Sequence, residues 1–217
     1  MCGVAAFQLD NVTQSDLELV KRVLIETQIR GRHASGIAWF DGNSVQCVKD
    51  SVPMSELVNS ISLDSMLHDG NLSMIAHCRY STSDLEFNQP LGDENFMIAH
   101  NGVITQSSPD TWESTYGHTF STRNDSEILL HTMAQASSDR HTSSQLSGSS
   151  ISVVRIDDSG SVSGFTNGLR PLWRTTIESG TIYTSTKNIM TRASNELQVA
   201  VKVPVVYGCE DRQVRHM

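Results

Sequence analysis

Short apolar runs that stop abruptly in polar residues recur along this chain and restrict what it can fold into. CGVAAFQL (2–9), LSMIAHCRY (72–80) and FMIAHNGV (96–103) are the clearest, and they read as buried strands. SGIAWF and SVQCVKD flank Asp41-Gly42-Asn43, a hairpin signal, and ISVVRID and SVSGFT flank a second one around Asp158-Ser159-Gly160. GTIYTST and VAVKVPVVYG add further strands. Between them lie helical patterns. SDLELVKRVLIETQIRG (15–31) carries Leu17, Val20, Val23, Leu24 and Gln28 on helical spacing, with Ser15 and Glu18 as a capping box and Gly31 as the stop. MSELVNSISLDSML is a weaker helical pattern, and NDSEILLHTMAQA has polar residues able to cap its start. SSDRHTSSQLSGSS (137–150) is Ser-rich and reads as a surface loop. With neither repeat nor linker, 217 residues make one α+β domain spanning 1–217, with two sheets' worth of strands.

Composition removes several classes of function. A net charge of −8 lacks the basic footprint of a nucleic-acid binder. No apolar run reaches the length of a membrane span, and the N-terminus has no secretory pattern. The cysteines at 2, 47, 78 and 209 form no CxxC pair, so neither a zinc site nor a redox pair is suggested and the expected location is the cytoplasm, with reduced thiols. His77 and His100 have no partner at metal-ligand spacing, so no metal is expected. No cofactor is expected either.

Polar clusters stand at the strand ends, where a rigid scaffold presents chemistry: Cys2-Gly3, RGRHASG (30–36), HCRYST (77–82), HNGV (100–103) and NDSE (124–127). Taken singly, each has an ordinary reading. Cys2 can be the first residue of a buried strand, Asn101-Gly102 a tight turn at positive φ, Arg79 a structural ion pair and Asp125 a helix cap.

Their order says more. MCG, RGxxxSG, HxRxxT, HNG and an acidic helix start, in this sequence from residue 2 to about 127, resemble the class II glutamine amidotransferases, the N-terminal-nucleophile glutaminase domains. LRPLW (169–173) and TSTKNI (184–189) resemble the closing strands of that family more loosely. The resemblance implies a four-layer αββα sandwich and hydrolysis of the side-chain amide of L-glutamine through a thioester on Cys2. Removal of Met1 would free the Cys2 α-amine, which titrates near pH ~8 and can act as the base. His77 and His100 are the alternative bases in this chain and are not the base in the family resembled. The resemblance further implies that Asn101 and the Gly102 N–H hold the oxyanion and that Arg30 supports the nucleophile's end. Arg79 would fork onto the α-carboxylate, Asp125 would take the α-ammonium, Thr82 would add a hydrogen bond, and Tyr80 would shape the pocket. Most members of this family consume the ammonia on a second domain, and no acceptor-binding motif is visible in this chain. The expectation is therefore an acceptor on a separate synthetase protein. An amidase for another γ-glutamyl amide, or a non-catalytic regulatory module, are the alternatives.

The sequence also departs from the family pattern. His33 stands where the RG motif commonly has an acid, followed by Ala34; Cys78 and Tyr80 stand where threonine and tryptophan are common, and Ser83 where some members have histidine. These positions border the pocket and the loop over it.

Overall fold

The computed structural model describes residues 2–81, 87–197 and 205–207. In chain order the elements are β1 Gly3–Leu9, α1 Gln14–Thr27, β2 Ala34–Phe40, β3 Val45–Asp50, α2 Met54–Asn59, β4 Leu72–Arg79, β5 Leu91–Gly92 and β6 Phe96–His100. Then follow α3 Trp112–Tyr116, α4 Ser126–Gln135, α5 Asp139–Gln145, β7 Ser152–Asp157, β8 Val162–Thr166, β9 Leu172–Ile177, β10 Gly180–Thr184, α6 Lys187–Leu197 and β11 Val205–Tyr207. The strands form two antiparallel sheets, ordered β11-β9-β10-β1-β4-β2-β3 and β5-β6-β7-β8.

Strand alternation sorts the side chains into three apolar layers. Ala5, Phe7 and Leu9 of β1, with Leu72, Met74 and Ala76 of β4, face α1, α2 and α6 through Val20, Leu24, Met54, Ile189 and Met190. Val4, Ala6, Ala38 and Ile75 face the other way and meet Ala99, Val154 and Ile156 of the smaller sheet. Phe96, Ile98 and Val153 then pack outward on Ile128, Leu129 and Met133 of α4. The result is the expected helix–sheet–sheet–helix sandwich. Strand β1 has to be apolar on both faces because both faces are covered.

The structure departs from the local sequence pattern in several places. The cap of α1 is Thr13, whose hydroxyl accepts from Asp16 N–H at 3.2 Å, while Asp16 Oδ2 accepts from Thr13 N–H at 2.9 Å; the capping box is therefore Thr13–Asp16, not Ser15–Glu18. Both pairs satisfy the sequence rule, and the chain enters the helix two residues earlier. Residues 137–150 are not a plain loop: Ser138 caps α5, accepting from His141 N–H at 3.2 Å, and Thr142 is buried. Thr184-Ser185-Thr186 closes β10 and Lys187 opens α6, so TSTKNI is only partly strand. The hairpins at Gly42 and Gly160 are as expected, with φ of 97° and 79°. Of VAVKVPVVYG only Val205–Tyr207 lies within the described residues. Among the described residues no helix is long and apolar enough to cross a membrane.

Candidate active site

Antiparallel register brings distant strand ends together. Gly3 pairs with Cys78 and Ala34 with Arg79, so the start of β1, the end of β4 and the start of β2 lie side by side. Alternation places Cys2, His77 and Arg79 on the inter-sheet face with Val4 and Ile75, and Cys78 on the helix side. Burial pushes the Cys78 thiol well above its usual range, which makes it inert.

The motif glycines act by leaving room. A Cβ on Gly3 would lie 2.4 Å from the Thr27 carbonyl oxygen, and one on Gly31 would lie 2.3 Å from the Arg79 carbonyl carbon. A Cβ on Gly36 would lie 2.1 Å from the Gln89 carbonyl oxygen. Arg30 belongs to this packing: its Cβ lies 3.1 Å from the position a Gly3 Cβ would take, so it stands beside the start of β1.

The second sheet delivers the HNG segment. The β6–β7 ladder runs past His100: Asn101 N–H donates to Ser152 at 2.8 Å and Val103 N–H to Ser150 at 3.1 Å. Gly102 lies between these two pairs, so its N–H faces away from β7, on the side where His100 N–H donates to Gln89 Oε1 at 2.6 Å. Among the described residues Gly102 N–H and the Asn101 side-chain amide have no hydrogen-bond partner. The tight-turn reading of Asn101-Gly102 is overturned, since neither residue has a positive φ. The glycine is there for space, because a Cβ would lie 1.8 Å from the Ser150 carbonyl oxygen.

His100 is the anchor beneath this segment. Its Nδ1 lies 2.9 Å from Ser126 Oγ and its Nε2 3.2 Å from the Ser150 carbonyl. A carbonyl can only accept, so Nε2 carries the proton and Nδ1 accepts from the Ser126 hydroxyl. Gln89 Nε2 donates to the same hydroxyl oxygen at 3.0 Å. Burial lowers the pKa of His100 and keeps it neutral. His77 is lowered to about 3, by burial first and then by the charge of Arg79. Neither histidine takes up a proton readily near neutrality. Ser126 falls within the NDSE cluster, but nothing local marks its bond to His100 or points to Gln89, since the partners lie 11 and 26 positions apart.

Asp125 precedes α4 but makes no capping bond. Its Oδ2 instead accepts from Ile104 N–H at 2.7 Å, pinning the strand that leaves Gly102. Asn124 Oδ1 takes over the local role, accepting from Ser126 N–H at 3.1 Å. Glu127 Oε1 and Oε2 accept from the backbone and hydroxyls of Ser121 and Thr122, fixing the approach to Arg123 and Asp125. The Arg79 guanidinium donates to the Phe87 carbonyl and, at 3.2 Å, to Asn88 Oδ1.

Cys2, Arg79, Tyr80, Gly102 and Asp125 line one cleft of about 380 Å³. Asn101 is buried behind it, and Thr82 lies outside the described residues. No cluster of three metal-ligating side chains occurs among the described residues. The arrangement offers a thiol, an unpaired N–H, a guanidinium and a carboxylate to one small polar molecule.

No family profile matches the chain. It is 28% identical to an amidophosphoribosyltransferase of Methanothermobacter thermautotrophicus over 187 residues, covering 79% of this chain and 39% of that protein. It is 25% identical to the glutamine–fructose-6-phosphate aminotransferase (isomerizing) of Helicobacter pylori, covering 62% of this chain and 22% of that protein. Its fold matches the glutamine phosphoribosylpyrophosphate amidotransferase of B. subtilis with a TM-score of 0.66 at 20% identity, covering 94% of this chain and 45% of that one. The chain spans less than half the length of each of these relatives.

Proposed function

From its place among the class II glutamine amidotransferase domains, with the N-terminal-nucleophile hydrolase fold, we infer that this chain hydrolyses L-glutamine at the Cys2 cleft, giving glutamate and ammonia. The observation that carries the reading is the convergence of Cys2, Gly102, Arg79 and Asp125 on one cleft from four separate segments.

In this reading Met1 is removed and the freed α-amine of Cys2 takes the proton of its own thiol, directly or through water. The thiolate attacks the amide carbon of glutamine. The oxyanion is held by Gly102 N–H and the Asn101 amide, which have no hydrogen-bond partner among the described residues and so meet the developing charge without first breaking a bond there. Collapse returns the proton to nitrogen and expels ammonia, leaving a γ-glutamyl thioester that water hydrolyses. His77 and His100 are poor candidates for the base, one held to about 3 by burial and the other bonded at both ring nitrogens. Arg79 and Asp125 select the free amino acid, since a glutamine within a peptide lacks both charges. Arg30 supports the nucleophile's end, Tyr80 borders the pocket and Thr82 adds a hydrogen bond.

The ammonia goes to an acceptor on a separate synthetase protein seated at the mouth of the cleft. Exposed apolar side chains support that position. Tyr80 and Val103 line the cleft, and Leu169 is held by Asn167, which also bonds Ser149 and Ile151 next to the Val103–Ser150 bridge. Residues 1–217 act as one domain, in keeping with apolar layers that run without interruption from β1 to α6. The free thiols at Cys2, Cys47 and Cys78 suit the cytoplasm.

The test is the intact mass of untagged protein before and after a glutamine-like diazo ketone. Loss of Met1 and one adduct on Cys2 supports the reading. A retained Met1, or a Cys2 that ignores the reagent, overturns it in favour of a non-catalytic module or another γ-glutamyl substrate.

A further inference from the structure

His33 stands where the resemblance leads one to expect an acid, and the structure gives it a job. Residues 31–33 grip residues 79–81 at successive points. Gly31 packs against the Arg79–Tyr80 peptide, His33 N–H donates to the Arg79 carbonyl at 3.0 Å, and Ser81 N–H donates to His33 Nδ1 at 2.9 Å. The His33 ring also lies against Tyr80, with centroids 5.1 Å apart. Tyr80 and Ser81 both line the Cys2 cleft, directly after Arg79.

We propose that His33 is a positioning residue that sets the wall of the glutamine pocket after Arg79, and that it makes glutamine binding depend on pH. Because it names a regulation of the Cys2 cleft, this rests on the function inferred above. Nδ1 accepts the Ser81 N–H only while it carries no proton. Protonation converts it to a donor, so the bond is lost and two N–H groups face each other. Histidine is the side chain that makes this change between pH 5 and 8, whereas an acid at the same place would keep accepting down to much lower pH. Among the described residues the charged and titratable groups beside His33 are Arg30 and Arg32 on its own segment and Arg79 and Tyr80 on the segment it grips. Among the described residues no carboxylate is in ion-pair contact with it. The wall is therefore held at high pH and released as pH falls.

The experiment compares the wild type with His33→Asn and His33→Ala. Asparagine keeps an acceptor oxygen close to the place of Nδ1 and does not titrate; alanine removes the acceptor. In the wild type, the KM for L-glutamine is expected to rise about fivefold between pH 7.5 and 5.5, the worth of one net hydrogen bond. His33→Asn should keep the low KM at both pH values, and His33→Ala should show the raised KM at both. The Ser81 amide resonance should titrate together with the His33 ring in the wild type and stay flat in His33→Asn. An amide that does not follow the ring, or an asparagine variant that behaves like alanine, overturns the proposal. The resonance measurement needs no turnover, so its result is separate from any failure of glutamine hydrolysis.

Discussion

His100 Nδ1 lies 2.9 Å from Ser126 Oγ, which joins the end of β6 to the first turn of α4 directly beneath the Asn101–Gly102 pair. The hydroxyl also accepts from Gln89, whose other amide atom accepts from the His100 backbone, so three buried residues close a ring of hydrogen bonds. Ser126→Ala would leave His100 Nδ1 and Gln89 Nε2 buried without that partner. The expected cost is about 1–3 kcal/mol for each unsatisfied group, read as a lowered midpoint in urea. Turnover should fall as well, and a variant with unchanged midpoint and kcat would show that the ring positions nothing.

The oxyanion assignment makes a sharper demand. Asn101→Ala should lower kcat by a factor on the order of 10²–10³ while Cys2 still reacts with a small alkylating reagent. Gly102→Ala should be worse, because the added carbon would lie 1.8 Å from the Ser150 carbonyl oxygen and the strand must shift. Steady-state kinetics on both variants, beside far-ultraviolet circular dichroism, separates lost chemistry from lost fold.

Arg79→Lys should raise the KM for glutamine about tenfold or more with a smaller change in kcat. A lysine ammonium cannot fork onto a carboxylate, and it also gives up the geometry by which Arg79 donates to Phe87 and Asn88. Equal KM values for the two proteins would remove Arg79 from the binding of glutamine.

Stability should fall on acidification even before the carboxylates titrate. The folded pKa of His77 is about 3, below the ~6.5 of an unfolded histidine. Between those values the unfolded chain binds the extra proton, so stability is complete above pH ~6.5 and is lost as pH falls towards 3. Glu127 adds a loss of the same sign below pH ~4.3: burial pushes it up, but the bonds from Thr122 and Ser121 together hold it below the usual carboxylate range. Urea unfolding at stepped pH measures the slope, and His77→Leu should flatten its upper part. A slope unchanged by that substitution would assign the acid sensitivity elsewhere.

The helix and strand periods were legible because each segment states its own pattern. The apolar run of β1, the spacing of Leu17, Val20 and Leu24 and the Gly42 hairpin all needed only near neighbours. Cap positions were less legible, since Thr13–Asp16 and Ser15–Glu18 obey the same local rule and entry geometry chooses between them. The short helix α5 hid in a Ser-rich stretch because its single buried Thr142 gives no periodic signal.

Residue identity and order set the chemical repertoire: a thiol at position 2, an Asn-Gly pair, and an arginine and an acid after separate strands, in an order that resembles one family. What those residues can do follows from how the two sheets pack. Antiparallel register sets Cys2 beside Arg79, and the β6–β7 ladder turns Gly102 N–H away from its sheet. Long-range contacts assign Asp125 to the Ile104 backbone, Ser126 to His100 and His33 to Ser81. A hydrogen bond is a matter of ångströms between groups dozens of residues apart, and the pattern of a single strand or helix carries no record of which partner the packed sheets will bring within reach.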